Sequence, residues 1–173
     1  PVYWDEFAGI GKKIDVKDIN SNIRRSSIAM GEFANIDHAR EILSTLFLQA
    51  GNPVTLYGSG GIQSGLSDSS YSGSRTSTPA LTFFTQFSDP RDSRYSWNRS
   101  LPSSKNSFLA GTLATYFGFA SEVNELRQKN PNIDYDVAPM PQARTGAIRT
   151  TYGNMYGISL VKSSVNQSNT YNV

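Results

Sequence analysis

Cysteine is absent from this sequence, and its 173 residues include a single histidine, His38. Without thiols the chain has no disulfide, no zinc–thiolate site and no cysteine nucleophile. One imidazole is too few for a histidine-rich metal site and leaves most Ser-His-Asp arrangements without parts. These absences predict a protein that is not an enzyme, has no catalytic or metal-ligating residues and uses no cofactor.

Strong charge and long apolar runs are also absent. The 16 Lys and Arg residues nearly balance 14 Asp and Glu residues, and the net charge of +2 comes with no basic block, which argues against a nucleic-acid partner. No apolar run approaches the roughly 20 residues that cross a bilayer, and the opening PVYWDEF lacks the pattern of a signal peptide. A content of 38% hydrophobic residues, with many Ser, Asn and aromatic residues, predicts a domain that binds an uncharged ligand or another protein.

Helical spacing of apolar residues recurs in five segments, which are residues 1–13, 38–50, 79–87, 103–111 and 122–129. The clearest is 38–50, whose apolar stripe consists of Ala39, Ile42, Leu43, Leu46 and Phe47. Asp37 and Ser121 each precede one of these helices and are candidate N-caps. Segment 79–87 is predicted to bury Leu81, Phe84 and Phe87 on one face.

Short apolar runs predict strands at residues 26–30, 112–117, 135–138 and 156–161. The 112–117 segment is almost continuously apolar, which is typical of a central strand buried on both faces. Because predicted strands alternate with predicted helices, the fold class is α/β, with helices packed around a small mixed sheet.

Three polar stretches resemble functional loops. Residues 15–22 are similar to a calcium loop, but Ile23 and Ala29 replace its Gly and its closing Glu, so a hairpin tip is predicted. Residues 57–78 are rich in Ser and Gly but lack both phosphate-loop spacings, which predicts a surface excursion. Residues 91–99 mix cations with aromatic residues that could stack on nucleic-acid bases; an ordered loop with packed aromatics is the favoured alternative.

Several motifs occur in an order that resembles a known family. PxxWDEF and KKI are followed by SIAMG and by a helix ending in LFLQAG; then come FxAGTLATYFGFAS, NPNIDYDVAPMPQ and TYGNMYGISLVKSS. In this order the motifs resemble the second, C-terminal lobe of bacterial extracellular solute-binding proteins of the sugar-transport type, over most of residues 1–164. The resemblance implies one lobe of a type II periplasmic-binding-protein-like fold.

The same resemblance implies the function and the partners. Proteins of this family bind a carbohydrate in a cleft between two lobes and deliver it to the permease of an ABC importer, outside the cytoplasm, in the periplasm or anchored to the membrane as a lipoprotein. Residues 1–153 would form the second-lobe domain, and residues 154–173 the crossover strand and a polar tail. Without its first lobe, the 156–161 strand would be an exposed edge through which two copies of the chain could pair.

Sugar recognition requires aromatic faces for the pyranose rings and planar polar groups for the hydroxyls. In α/β sheets such ligands lie at the carboxyl ends of strands, and three predicted loops meet that condition and line the cleft by resemblance. Their candidate residues are Glu32, Phe33, Asn35 and Asp37 after the first strand, Phe119, Ser121 and Glu122 after the second, and Tyr152, Asn154 and Tyr156 at the crossover. Helix capping is the favoured alternative for Asp37 and Ser121, core packing is an equal alternative for Phe119, and His38 is interpreted as a surface residue.

Two other function classes fit parts of the sequence. The Ser-, Asn- and Thr-rich composition and the aromatic loops are compatible with a cell-surface adhesion or structural domain. The pair Asp134 and Asp136 has the residue types of a glycoside hydrolase. However, these two carboxylates are predicted to share one strand face, with no neighbour that would raise one pKa, so hydrolysis is the weaker alternative.

Overall fold

Residues 1–66, 77–144, 149–157, 159 and 161–163 are described in the computed structural model of this chain. Within them the protein is a mixed α/β structure with five α-helices, a three-stranded sheet and a separate two-stranded sheet. The predicted α/β class is therefore confirmed. Among the described residues, no helix has the length and apolar character needed to span a membrane.

The elements follow one another along the chain in mixed order. The helices are α1 (Glu6–Ile14), α2 (Ala39–Gln49), α3 (Thr78–Thr85), α4 (Ser104–Leu109) and α5 (Val123–Lys129). The strands are β1 (Val16–Lys17), β2 (Ile23–Ile28), β3 (Thr55–Gly58), β4 (Gly61–Ser64) and β5 (Leu113–Thr115). Two 3₁₀ turns, Gln86–Ser88 and Ala120–Glu122, follow α3 and precede α5.

Strand β2 is the centre of the three-stranded sheet, whose order is β1-β2-β5. It pairs antiparallel with β1 and parallel with β5, where Ser26 faces Leu113 and Ile28 faces Thr115. The prediction of a central, buried strand at 112–117 is wrong, because within the described sheet β5 pairs with β2 alone and Ala114 is exposed. The apolar residues that end this segment pack as side chains instead of extending the strand.

The residues that follow β5 pack into an aromatic part of the core. Phe117, two residues beyond β5, has its ring centroid 5.4 Å from Trp4 and 6.1 Å from Phe7. Beneath them, Ile28 and Met30 are completely buried. Burial of one such side chain stabilises a fold by roughly 1.5–3 kcal/mol, so the start of the chain, β2 and the end of β5 are held together mainly by apolar contact.

All five predicted helices are present in the structure, but the buried face of one of them, α3, differs from the prediction. The stripe of α2 is confirmed, since Ala39, Ile42, Leu46 and Phe47 are buried and Leu43 is partly buried. In α3 the buried residues are Ala80 and Phe84, followed by Phe87 in the 3₁₀ turn, whereas Leu81 is 46% exposed. The spacing from Ala80 to Phe87 defines the buried stripe, and Leu81 lies about 100° around the helix from Ala80.

Two of the predicted strands are not found. Residues 135–138 form no strand; instead the Tyr135 ring packs edge-on against Phe108, with centroids 5.7 Å apart, and its hydroxyl donates to the Val123 carbonyl. The predicted strand 156–161 lies partly outside the described residues, and its described members, such as Tyr156 and Val161, are exposed and in no strand. The basis for edge pairing between two copies is therefore missing from the described residues of this segment. The tail from residue 164 onward lies outside the described part.

The Ser- and Gly-rich stretch begins with a surface hairpin. Strands β3 and β4 pair antiparallel, and Tyr57 faces Ile62 across the pair with both side chains largely exposed. Residues 57–64 are exposed, whereas Gly65 is buried and Leu66 is half-buried, and the hairpin is not among the predicted elements. Residues 67–76 lie outside the described part of the chain.

The predicted hairpin tip at 15–22 is confirmed by the pairing of β1 with β2. Asp18 organises this tip, because its carboxylate accepts hydrogen bonds from the backbone N–H groups of Asn20 and Asn22 and from the Arg24 guanidinium. The 91–99 segment is the ordered loop that the sequence favoured, with Trp97 only 1% exposed.

The buried side-chain amide of Gln49 links Trp4, near the start of the chain, to Pro141 and Thr150. Oε1 of Gln49 accepts from Trp4 Nε1–H at 2.7 Å and from the Ala143 N–H at 3.1 Å, while Nε2 donates to the carbonyls of Pro141 and Thr150. Gln49 is 9% exposed, so these bonds form away from water. The side chain therefore fixes Pro141, Ala143 and Thr150 against α2 and the start of the chain.

We predict that Gln49→Ala lowers the free energy of unfolding by about 2–4 kcal/mol, because it removes the partner of a buried indole N–H together with three backbone contacts. Urea unfolding measures the change. Gln128, exposed on α5, provides the control: Gln128→Ala should change stability by less than about 0.5 kcal/mol. Equal effects of the two substitutions would contradict this role for Gln49.

A second prediction concerns pH. Hydrogen bonds from the side chain and backbone of Asn22, followed by those from Asn20 and Arg24, lower the pKa of Asp18 to about 2. A lowered pKa means that the hairpin-tip bonds are fully present above the ordinary value of 3.8 and are lost as the pH falls through about 2. An NMR titration of the Asp18 carboxyl carbon tests this, and Asn22→Ala should move the midpoint back toward 3.8. A wild-type midpoint at the ordinary value would contradict the assignment.

Candidate binding site

The candidate site lies at the edge of the sheet where β2 and β5 end. Because these two strands are parallel, their carboxyl ends meet at one edge, which is where α/β sheets commonly bind ligands. Residues 29–38 follow β2, and residues 116–122 follow β5. Side chains from the two loops meet there.

The Glu122 carboxylate is the centre of this group. Its Oε2 accepts a hydrogen bond from the Phe119 N–H at 2.8 Å and lies 2.8 Å from Nε2 of His38. Its Oε1 lies 2.5 Å from Lys105 Nζ and accepts from the Tyr116 hydroxyl at 3.1 Å. These five residues are called the Glu122 cluster below.

The charges within the Glu122 cluster balance one another. Partial burial acts to raise the pKa of Glu122, but the hydrogen bonds from Lys105 and from the Phe119 N–H outweigh burial and hold that pKa below its ordinary value. The bond to Glu122 raises the pKa of Lys105 in turn. Burial, with the nearby negative charge of Glu122, raises the pKa of Tyr116. At neutral pH the cluster therefore contains a carboxylate, an ammonium and a neutral phenol.

An aromatic surface adjoins the cluster. The His38 and Phe119 rings meet edge to face, with centroids 4.9 Å apart and planes at 80°, and the Tyr152 ring lies 6.5 Å from Phe119. The backbone N–H of Tyr152 donates to Thr45 Oγ1, which anchors the crossover segment to α2. All three rings are half-buried, so each retains an accessible part. Such partly exposed rings are suited to stacking on the apolar face of a sugar.

The turn that carries Phe119 is shaped by Glu122 and not by Ser121. Glu122 accepts from the Phe119 N–H and donates its own N–H to the Phe119 carbonyl at 2.9 Å. Ser121 is exposed and makes no capping bond among the described residues, so its predicted capping role is wrong. A Cβ at Gly118 would lie 2.6 Å from Glu122 Oε2, which is why glycine precedes Phe119.

Asp37 is not the cap of α2 that was predicted; it adds a capping hydrogen bond to α4, whose own N-cap is Ser103. His38 occupies the N-cap position of α2 with a left-handed backbone (φ 61°), and no side chain caps that helix. The Asp37 carboxylate instead accepts from the Lys105 N–H at 2.8 Å and from the Ser104 hydroxyl at 2.9 Å, at the start of α4. Capping across the fold ties the loop after β2 to α4 and so to the Glu122 cluster.

The other candidates after β2 serve different purposes. The Asn35 side chain donates to the carbonyls of Asn98 and Leu101 and accepts from the Trp97 indole N–H, so it holds the 91–101 loop. Glu32 pairs with Arg99 at 3.1 Å, and Phe33 is 68% exposed. Of the four candidates in this loop, only Phe33 presents a largely free side chain to solvent.

The three candidates at the predicted crossover also differ in their surroundings. Tyr152 belongs to the aromatic surface, whereas Asn154 and Tyr156 are exposed and, within the described residues, make no side-chain bond or ring contact. Contact between a ligand and any of these candidates stays a prediction.

Three members of the Glu122 cluster were not among the sequence candidates. The sequence predicts His38 as a surface residue just inside a helix, whereas its side chain is 26% exposed and lies 2.8 Å from Glu122. Tyr116 was placed within a strand. Lys105 comes from α4 and carries no sequence signal, since only the fold brings it next to Glu122.

A separate concave region lies away from this edge. It has a volume of about 330 Å³ and is lined mainly by apolar groups, including Trp4, Leu46 and Phe83. Its amide Gln49 already has protein partners for both side-chain atoms. Candidate site residues of the three loops do not line it.

Neither metal ligands nor a paired-carboxylate centre emerge from the described residues. Within them, no group of three or more His, Asp or Glu side chains is arranged to hold a metal ion. Asp134 and Asp136 are both exposed, in a segment that forms no strand.

Comparisons of the chain with protein-family models, with curated proteins and with solved structures gave no match.

We predict that Asp37→Ala lowers the free energy of unfolding by about 1 kcal/mol, because the Lys105 N–H in the first turn of α4 loses its acceptor while the Ser103 cap remains. Chemical unfolding measures this loss. Asp134, exposed and outside any helix, is the matched control, and its substitution by Ala should change stability by less than about 0.5 kcal/mol. Unchanged stability in Asp37→Ala would show that the cap contributes nothing.

Proposed function

We propose that this chain is the carbohydrate-binding second lobe of a two-lobed solute receptor that serves an ABC importer. It captures a sugar without chemical conversion and acts outside the cytoplasm, and the complete receptor passes the sugar to a membrane permease. In this proposal the α/β domain corresponds to one lobe of a type II periplasmic-binding-protein-like fold. The motif order described above is the support from sequence.

The observation that carries the proposal is the aromatic surface at the carboxyl edge of β2 and β5. His38, Phe119 and Tyr152 present partly exposed rings there, from three segments that are far apart in the chain. Aromatic rings that are fixed at the edge of a sheet match the apolar faces of pyranoses. Their polar neighbours, Glu122 and Lys105, are paired with one another, which favours an uncharged ligand.

A single lobe is expected to bind weakly. One aromatic contact contributes roughly 0.5–1.5 kcal/mol, whereas immobilising a ligand costs at least several kcal/mol. With one lobe the sugar remains open to water on its other face. The chain alone should therefore bind sugar with a Kd near millimolar or weaker, and the two-lobed protein at about micromolar.

Adhesion or another structural role at the cell surface is the second candidate. It is favoured by the exposed β3–β4 hairpin, where Tyr57 is 89% and Ile62 68% exposed. An apolar pair on a projecting hairpin is more typical of a contact surface than of a free one.

The test uses a panel of neutral mono- to trisaccharides, screened by thermal shift and quantified by calorimetry on the two-lobed protein and by NMR titration on this chain. Phe119→Ala should weaken binding by roughly three- to tenfold, with little change in Tm, because it removes one stacking face. Tyr57→Ala removes an exposed ring far along the chain and should leave binding unchanged.

Two outcomes would contradict the proposal. Micromolar binding by this chain alone would mean that the whole site lies within one lobe and not in a cleft. Binding of no sugar by the two-lobed protein, together with cell-surface attachment that Tyr57→Ala abolishes, would favour the adhesion candidate.

A further inference from the structure

We infer that Glu122 is a positioning residue, whose carboxylate holds the rings of Phe119 and His38 in the arrangement that faces the ligand and itself contacts no sugar. The inference rests on the proposed function of the aromatic surface. The sequence predicts Glu122 as a residue that contacts the ligand, and the inference gives it a positioning role instead.

The first argument is the number of acceptor positions. A carboxylate has about four lone-pair directions. Those of Glu122 are directed at Phe119 N–H and His38 Nε2 on one oxygen, and at Lys105 Nζ and the Tyr116 hydroxyl on the other. The side chain is 12% exposed. No acceptor position is left for a sugar hydroxyl.

The second argument is the origin of these partners. His38 follows β2, Lys105 lies in α4, Tyr116 follows β5, and Phe119 begins the turn before α5. Glu122 contacts all four, and it alone among the described residues joins them at one point. Three separate segments, namely the loop after β2, helix α4 and the loop after β5, are therefore held together by one side chain.

The third argument concerns the rings themselves. Glu122 fixes the backbone of Phe119 through two reciprocal hydrogen bonds and fixes the imidazole of His38 through Nε2. The edge-to-face contact between these rings, at 4.9 Å, is then a consequence of both being attached to one carboxylate. If the attachment is lost, the two rings are free to separate.

The matched control is Glu125. Its carboxylate lies 3.3 Å from the same Lys105 Nζ and 2.7 Å from Lys129, but it makes no bond to His38 or Phe119. Glu122→Ala and Glu125→Ala therefore remove the same charge beside the same ammonium, and only the first removes the acceptor shared by Phe119 and His38.

The readout is the NMR spectrum of His38, whose ring signals are unambiguous because the chain has one histidine. In the wild type, the Phe119 ring is expected to shift these signals by its ring current, because the two ring centroids lie 4.9 Å apart. Glu122→Ala should abolish the shift while circular dichroism and the melting transition show a folded protein, and Glu125→Ala should retain it. A purely stabilising role would leave the shift unchanged in both. If Glu122→Ala does not fold, Glu122→Asp, which keeps the charge but shortens the reach, is expected to lose the same shift.

Sugar titration completes the experiment and separates the two proposals. With the panel of neutral mono- to trisaccharides, Glu122→Ala should bind about tenfold more weakly than the wild type, and Glu125→Ala equally well. Retention of the His38 shift in Glu122→Ala, or in the folded Glu122→Asp, overturns the positioning role whatever the wild type binds. Loss of the shift in a protein that binds no sugar supports the positioning role and contradicts the proposed function.

Discussion

The parallel pairing of β2 with β5 is the constraint on which the rest of the structure depends. Two register pairs, Ser26 with Leu113 and Ile28 with Thr115, set the ends of both strands at one edge. Because the strands are parallel, the loops that follow them leave in the same direction and lie side by side. Had the pairing been antiparallel, Phe119 and His38 would emerge at opposite ends of the sheet, and the Glu122 cluster could not form.

Polar side chains with filled hydrogen-bonding capacity hold the loops in place. Gln49 ties Pro141 and Thr150 to α2, Asn35 holds the 91–101 loop, and Glu122 joins three segments at the sheet edge. A buried polar group that lost its partners would destabilise the fold by about 1–3 kcal/mol, so each such group selects one loop arrangement over others. Apolar contacts stabilise the fold but do not depend on orientation, whereas the hydrogen bonds of these side chains do. This division explains how a small sheet supports long, ordered loops.

Local signals account for most of the helices but fewer of the strands. The stripe from Ala39 to Phe47 predicted α2 because helical periodicity reflects one buried face and needs no knowledge of the partner. The 135–138 segment has strand composition but pairs with no strand within the described part of the chain, and Tyr135 packs on Phe108 instead. Strand formation depends on a second segment that is distant in sequence, which explains why composition alone misplaced this strand and the centre of the sheet. Caps show the same dependence, since Asp37 caps α4 across the fold.

By itself the sequence determined the α/β class, the helices and the two loops in which the candidate site lies. It determined them because apolar periodicity, glycine stops and aromatic residues after strands are local properties. Only the tertiary structure decided that Lys105, His38 and Tyr116 meet at Glu122, that Asn35 supports a neighbouring loop and that Asp37 belongs to α4. Those contacts join residues that are separated by many positions along the chain. Their geometry follows from strand pairing and core packing, neither of which leaves a local mark in the sequence.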